Sequence, residues 1–357
     1  MSALETTLKD ICILRLSALG DVCNLVPAVR ALQRRYPQAR ITWVIGRAEH
    51  SLLTGLSGVE FIVFDKRTGL AGMRAVWRQL KGRRFDVLLH MQVALRASLL
   101  SLGIKAKRRI GFDRARSRDG QHWFVNEQLP DSSEGHVIEG FFDFMRLLGV
   151  NDCRLQWDIP VPESAEQQRH RWVEGDYWII SPCSSDRAFN YRNWTTAGYA
   201  ALIDYARDRY GLKAVLTGGG SDQEQALVRD LVVQCQSPVI NTLGQTDLKT
   251  LLALIRDAAV VMAPDSGPVH MAAAMGTAPL GLYATSNPQR TGPVVGQQYV
   301  VNKYPEAVAQ CLGKPLDQVR WGQRVRDPKA MALIQIDDVK ARLDAIMASP
   351  QSVSEQD

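Results

Sequence analysis

The sequence has no G-x-G-x-x-G and no G-x-x-x-x-G-K-[ST]. The first absence removes the main support for a dinucleotide dehydrogenase, the second for a P-loop kinase or ATPase. No apolar run reaches the roughly 18 residues that a membrane-spanning helix needs. The N-terminal "MSALETTLKDICIL" carries acidic residues and ends on only four consecutive apolar ones. It does not read as a secretory leader, and a cytoplasmic protein is expected. The six cysteines, Cys12, Cys23, Cys153, Cys183, Cys235 and Cys311, are scattered without a C-x-x-C pair. They support neither a zinc site nor a disulfide framework and are expected as small core residues. The alternation of aromatic and basic residues that marks an RNA-binding sheet is also missing, so no nucleic-acid partner is expected.

What is present points to two domains. The chain has 357 residues, 46% of them apolar, enough for two cores of ordinary size. Its net charge of +6 hides an asymmetry: between Asp65 and Arg118 there are 15 Lys and Arg against 3 Asp and Glu. Such a run is either a solvated face or the footprint of an anionic partner, namely a phosphorylated ligand or an acidic membrane surface.

Strand-like apolar runs alternate with amphipathic helical stretches. "ICILRL" precedes a helix over 22–35; "ITWVIG", "EFIVFD", "FDVLLHM" and "RRIGF" follow, with helical segments between most of them. "WDIPVPESAEQQ", with two prolines in a polar setting, reads as a linker. A second alternating unit then runs from "YWIISPCSS" through "KAVLTGGGSD" and "AVVMAPDSG" to "APLGLYATSNP". This βαβα pattern predicts an α/β chain built of two Rossmann-like halves with parallel sheets. The expected division is an N-terminal domain over 1–160, a C-terminal domain over 161–335, and a final helix with a disordered tail over 336–357. Ligands in such sheets bind at the carboxyl ends of the strands, and a cleft between the halves is the expected site.

Three strand-end loops carry candidate chemistry. In "APDSGPVHMAAAMG", Asp265, Ser266 and Gly267 lead into a helix with Pro268 in its first turn. Exposed N–H groups there would bind an anion, helped by the helix dipole. Capping of that helix by Asp265 or Ser266 is the plainer reading, and His270 one turn on favours a site. In "SPCSSDRAFNYRNW", the hydroxyls of Ser184 and Ser185 with Arg187 and Arg192 suit a diphosphate, though an ordinary polar loop has the same composition. After "LTGGG", Glu224 could take ribose hydroxyls. The opening turn, "LSALGDV", is different. It has a single glycine, Gly20, and a carboxylate, Asp21, that would repel a pyrophosphate. Asp21 is better placed to meet a neutral group that must lose a proton.

"ILRLSALGDVCNLVPAVRAL", "DVLLHMQVALRASLL" and "APDSGPVHMAAAMGTAPLGLYATSNPQRTGP", in that order, resemble glycosyltransferase family 9, the ADP-heptose:lipopolysaccharide heptosyltransferases, over about Cys12 to Pro293. The look is nearest to enzymes adding the first heptose to Kdo. The resemblance implies a GT-B fold with an acceptor-binding N-terminal domain and a nucleotide-sugar-binding C-terminal domain. It implies Asp21 as catalytic base. For the donor it implies Asp265, Ser266, Gly267 and His270, with Ser184 and Ser185 on the diphosphate, Arg192 two residues before Trp194, and Glu224 on the ribose. Arg118 and His136, with Lys66 and Arg67 more loosely, fall near positions that bind anionic Kdo.

The mechanism so implied is an inverting single displacement from ADP-heptose, with Asp21 as general base. Backbone N–H groups and Arg192 would stabilise the departing ADP. No DxD-type pair appears at a suitable loop, so no obligatory metal or other cofactor is expected. The basic segment would face the anionic Kdo-lipid A acceptor at the inner leaflet, giving a peripheral protein on the cytoplasmic face of the inner membrane, as a monomer. The rival readings are a related GT-B transferase with another nucleotide-sugar or a heptosylated acceptor, and a non-catalytic nucleotide-binding protein of the same fold.

Overall fold

The computed structural model describes residues 7–132, 134–184 and 190–349. The chain divides into two compact units, Met1–Pro160 and Val161–Asp357. The first contains β1 (Asp10–Leu14), α1 (Leu19–Arg35), β2 (Arg40–Gly46), α2 (Arg47–Leu53), β3 (Val59–Phe64), α3 (Gly69–Gln79), β4 (Phe85–His90), α4 (Leu95–Ser101), β5 (Ala106–Gly111), β6 (Glu127–Gln128) and α5 (Val137–Leu147). The second begins with α6 (Glu163–Trp172), β7 (Tyr177–Ile180), α7 (Thr196–Tyr210), β8 (Lys213–Leu216), α8 (Asp222–Gln234), β9 (Val239–Asn241) and α9 (Leu248–Arg256). It continues with β10 (Val260–Pro264), α10 (Gly267–Met275), β11 (Ala278–Tyr283), α11 (Pro288–Thr291), β12 (Val301–Asn302), α12 (Tyr304–Leu312) and α13 (Ile336–Ala348).

Each unit holds a six-stranded parallel sheet. The orders are β3-β2-β1-β4-β5-β6 and β12-β11-β10-β7-β8-β9. Read from its own first strand, the second sheet has the same order as the first. Both reverse direction of winding beside that first strand, between β1 and β4 and between β7 and β10. Those are the switch points at which the connecting loops part and leave room for a ligand.

The central strands are apolar on both faces because helices cover both sides. In β1, Ile11, Cys12, Ile13 and Leu14 are all fully buried. Helix α1 is buried over most of its length although Pro27 sits inside it. Proline has no N–H to offer the carbonyl four residues back, which here is Cys23. The Trp157 indole N–H donates to that carbonyl at 3.0 Å, so the segment leading out of the first unit repairs the helix. Arg34 adds a 2.7 Å bond to Asp152 and another to Gln156.

The helix expected over 22–35 starts three residues earlier, at Leu19, which puts Gly20 and Asp21 in its first turn. The expected linker is shorter: Glu163 onward is already α6, with acidic residues in its first turn and basic ones in its last. Helix α13, expected as an appendage after residue 335, contributes Val339, Leu343 and Ile346 to the second unit's core.

Candidate active site

In the first unit, the end of β1 is held from several sides. Trp43 Nε1–H donates to the Arg15 carbonyl at 3.0 Å, and Gly46 N–H to that of Leu16 at 3.1 Å. From the end of β4, Gln92 Oε1 accepts the N–H groups of Leu16 and Ser17, both at 3.1 Å. Asp21 Oδ2 accepts the Ala18 N–H at 3.0 Å and lies 2.5 Å from Arg15 Nη2. Arg15 is itself fixed, donating to the Met91 carbonyl at 2.5 Å with its guanidinium over the Phe141 ring. One carboxylate oxygen of Asp21 is thereby tied down. The other has no partner among the described residues, and the side chain is 31% exposed. An oriented, accessible carboxylate of this kind suits a general base.

Glu49, which the sequence did not single out, stands beside this pair. Burial pushes its carboxyl above the ordinary glutamate range, while Lys66 and Arg15 pull it down and Asp21 raises it. Its oxygen would lie 2.4 Å from a Cβ at Gly46, and the Leu16 carbonyl 2.2 Å from the same atom, so position 46 has no room for a side chain. Lys66 thus lies within electrostatic reach of Glu49. Arg67 turns back on Asp65, its Nε and Nη2 at 3.3 and 3.4 Å from that carboxylate. Arg118 is exposed in the loop after β5. His136 caps α5, its Nδ1 accepting the Ile138 N–H at 3.2 Å, four residues before the Gly140–Phe141 turn that lies under Arg15.

In the second unit, the strand ends bring β7 and β10 loops together. Asp265 is buried. Its Oδ2 accepts the Ser286 hydroxyl at 2.8 Å and stands 3.5 Å from Arg192 Nη1 and 3.8 Å from Arg324 Nη2. Arg192 also donates to the Asp265 carbonyl at 2.7 Å and to Asn190 at 3.1 Å. Asn190 is bonded in turn to the Ser184 hydroxyl, and the Ser184 N–H donates to Asn193 at 3.1 Å. Trp194 anchors the loop by donating to the Ile334 carbonyl at 2.9 Å. Ser185 and Arg187 lie outside the described residues.

Ser266 occupies the N-cap position of α10, yet its hydroxyl donates back to the Pro264 carbonyl at 3.0 Å. Among the described residues no side-chain cap bond is made at this end of α10, and the first N–H groups of a helix so left suit an anion. His270 is buried one turn further on. Glu224 is engaged locally: its two oxygens accept the Gly219 and Ser221 N–H groups, while Ser221 caps α8. That is a capping box; each oxygen keeps a lone pair for a hydroxyl. The turn before it packs backbone to backbone on the next loop. Gly220 and Gly244 both have positive φ, and a Cβ on Gly220 would sit 2.8 Å from the Gly244 Cα.

The long-range partners Gln92, Ser286 and Arg324, and Asn193 within the loop after β7, escaped the sequence reading. Ser286 and Gln92 lie within stretches already quoted for their motifs; Arg324 is remote and carries no local signal. Among the described residues no group of three or more His, Cys, Asp or Glu is placed to hold a metal ion.

The family model described as glycosyltransferase family 9 (heptosyltransferase) matches residues 73–321. The chain is 38% identical to the lipopolysaccharide core heptosyltransferase OpsX of Haemophilus influenzae, over 93% of this chain and 95% of that one. It is 24% identical to lipopolysaccharide heptosyltransferase 3 of Escherichia coli over 75% of this chain and 81% of the relative. Among solved structures, a glycosyl transferase family 9 protein from Veillonella parvula superposes with a TM-score of 0.79 at 21% identity, covering 95% of this chain and 97% of the other. The ADP-heptose lps heptosyltransferase II of E. coli gives 0.72 at 20% identity, with 95% and 98% covered. These two share its fold, a GT-B fold of paired Rossmann-like sheets. The strand order, the loops gathered at each switch point and the extent of the match agree: the chain belongs to glycosyltransferase family 9, the heptosyltransferases.

Proposed function

We propose that this glycosyltransferase moves heptose from ADP-L-glycero-D-manno-heptose to the Kdo-lipid A inner core of lipopolysaccharide, with inversion at the anomeric carbon. The first unit takes the acceptor and the second the donor. A relative named as a lipopolysaccharide core heptosyltransferase, at 38% identity over nearly the whole chain, supports the reaction class. E. coli WaaC, solved with ADP and with ADP-2-deoxy-2-fluoro heptose, supports the donor by fold likeness.

The observation that carries the mechanism is the state of Asp21, with one oxygen anchored by Arg15 and Ala18 and the other open. The acceptor hydroxyl oxygen attacks the anomeric carbon and passes its proton to that open oxygen. The bond from the anomeric carbon to the diphosphate oxygen breaks, and ADP leaves with the electron pair. Charge gathering on the diphosphate is met by Arg192, Arg324, the Ser184 hydroxyl and the first N–H groups of α10, dipoles already in place before the reaction. Asp265, kept buried between two arginines and Ser286, orients the sugar hydroxyls. His270 closes the helix end, and Glu224 reaches the ribose. Lys66, Arg118 and His136 serve the anionic acceptor, with Arg67 at its margin. The reaction is assigned no obligatory metal or cofactor. The protein works as a monomer, peripheral to the cytoplasmic face of the inner membrane.

ADP release from ADP-heptose, with and without Kdo-lipid A, tests this in wild type and Asp21→Asn. Release that requires acceptor, and falls about 10²–10⁴-fold in the variant with ADP affinity unchanged, is expected. Acceptor-dependent release at the wild-type rate in Asp21→Asn would remove Asp21 as the base. No release by wild type would overturn the donor–acceptor pair.

A further inference from the structure

Of the nine large apolar side chains exposed among the described residues, five fall between positions 70 and 123: Leu70, Leu95, Leu99, Leu102 and Trp123. Leu95 and Leu99 of α4 and Leu102, the residue that follows it and keeps a helical backbone, recur at i, i+4 and i+7, which sets them on one face. The opposite face is the buried one, with Ala97, Ser98, Leu100 and Ser101. Leu95 is 52% exposed, Leu102 62% and Trp123 79%. An apolar stripe pointing away from the core needs a cover.

The neighbours of that stripe are fixed by contacts within the first unit. Trp77 of α3 donates to the Leu100 carbonyl at 2.8 Å, and its ring fills the space a Cβ at Gly103 would take. Helices α3 and α4 therefore lie side by side in one layer on the sheet, sharing Met73, Val76, Ala97 and Leu100 in one cluster. The Leu95 N–H reaches the Asp119 carboxylate at 3.4 Å, fastening the loop before Trp123 to the start of α4. Leu70 and Leu95 begin their helices at the carboxyl end of the sheet, the edge that also presents Asp21.

The rim is cationic. Arg74 and Arg78 on α3, Arg96 on α4, Lys105 and Arg118 are exposed and take part in no ion pair among the described residues. Unpaired cations around an apolar face match an anionic lipid leaflet, whose headgroups take the charge and whose acyl boundary takes the leucines. An exposed tryptophan belongs at that same depth. A second copy of this chain would set like charges face to face, and a nucleic acid would neutralise the arginines while leaving the leucines in water.

We propose that the outer face of α3 and α4, with Trp123, is a membrane-docking surface that seats its leucines and tryptophan in the interface of an anionic bilayer. This rests on the reading that the acceptor is a lipid. It adds an apolar anchor to the purely electrostatic association the charge run suggests.

Flotation of the full chain with phosphatidylcholine vesicles and with mixed phosphatidylcholine–phosphatidylglycerol vesicles tests it. Wild type is expected on the anionic vesicles alone, with quenching of tryptophan fluorescence by brominated lipid that Trp123→Phe abolishes. Leu99→Glu/Leu102→Glu is expected to lower vesicle partitioning about tenfold or more. Arg74→Glu/Arg78→Glu, which leaves the apolar stripe whole, is expected to lose anionic selectivity. Both variants should melt with wild type and release ADP at the wild-type rate on a delipidated Kdo oligosaccharide. Wild type that ignores anionic vesicles, a leucine variant that still floats, or a leucine variant that dissolves a wild-type dimer would each overturn the proposal. Loss of turnover on the soluble acceptor would overturn it too, by placing the face in acceptor recognition. Vesicle binding needs no acceptor, so failure of the heptosyltransfer reading leaves this test intact.

Discussion

Gln92→Leu removes the acceptor that serves the N–H groups of Leu16 and Ser17, just before the first turn of α1. Leucine fills similar space and offers no oxygen. Each orphaned N–H costs about 1–3 kcal/mol when kept from water. Both are partly buried here, so the two together come to about 2–4 kcal/mol. In a unit of this size 1 kcal/mol moves the melting point about 2–4 °C, which predicts a fall of about 5–15 °C for the first unit. If Asp21 is the base proposed above, a kinetic cost comes through it, because the same loop carries Arg15 and Ala18, its two anchors. A shift of about 1 Å in a catalytic group costs roughly 10²-fold in rate. Differential scanning calorimetry and ADP release would be run on Gln92→Leu and Gln92→Glu together. Glutamate keeps an oxygen for both N–H groups and should recover most of the melting point and most of the turnover. A leucine variant that melts and turns over as wild type would refute the argument. So would a glutamate variant as impaired as the leucine one, since the loss would then not lie in the accepting oxygen.

If Arg192 takes the donor diphosphate as proposed, Arg192→Gln should raise the Kd for ADP and lower kcat, together by roughly 10²-fold in kcat/KM, because the guanidinium stands against Asp265 and would face that diphosphate; calorimetric titration with ADP and initial rates check the two halves separately. Arg192→Lys should retain part of each, having the charge without the fork that spans Asn190 and Asp265. His90 gives a pH prediction. Burial pushes its imidazole from 6.5 down to about 4, and Gln121 donates to its Nδ1 at 3.1 Å. The unfolded chain takes up the proton near 6.5 and the folded one only near 4, so stability is lost as pH falls through that window. The loss is about 3 kcal/mol from this group. Urea unfolding of wild type and His90→Gln at pH 7.5 and pH 4 should show the gap between them shrinking by about that amount on the acid side; a constant gap would mean the imidazole is not held neutral.

The parts legible in the sequence are those whose signal is local and periodic. The buried strands announce themselves as unbroken apolar runs, and helix ends such as Thr195 and Gly211 of α7 carry their own caps. Helix α6 does not. It buries only Ala165 and is held by ion pairs from Glu166 to Arg256 and from Arg169 to Asp257, neither of which leaves a pattern along the chain. The strands β6, β9 and β12 are two or three residues long, too short for an alternation to show. The site follows the same division. Asp21, in the first helical turn after β1, and Asp265 and Arg192, in strand-end loops, stand in recognisable motifs, whereas Gln92, Ser286 and Arg324 reach them only because the fold returns them there. Glu49 was hidden for another reason: a glutamate on a short helix has nothing unusual about it until burial is known.

If Glu224 takes the ribose as proposed, the contact between Gly220 and Gly244 bears on how donor preference could be redesigned. Each glycine excludes a side chain on the other, and each takes a backbone conformation that other residues adopt only with strain. A loop grafted from another transferase at 218–221 alone would meet an unmatched partner at 242–247 and push Glu224 off its turn. The two loops form one transplantable cassette, and a chimera that exchanges them jointly is the one that should keep its α8 cap and still bind a nucleotide.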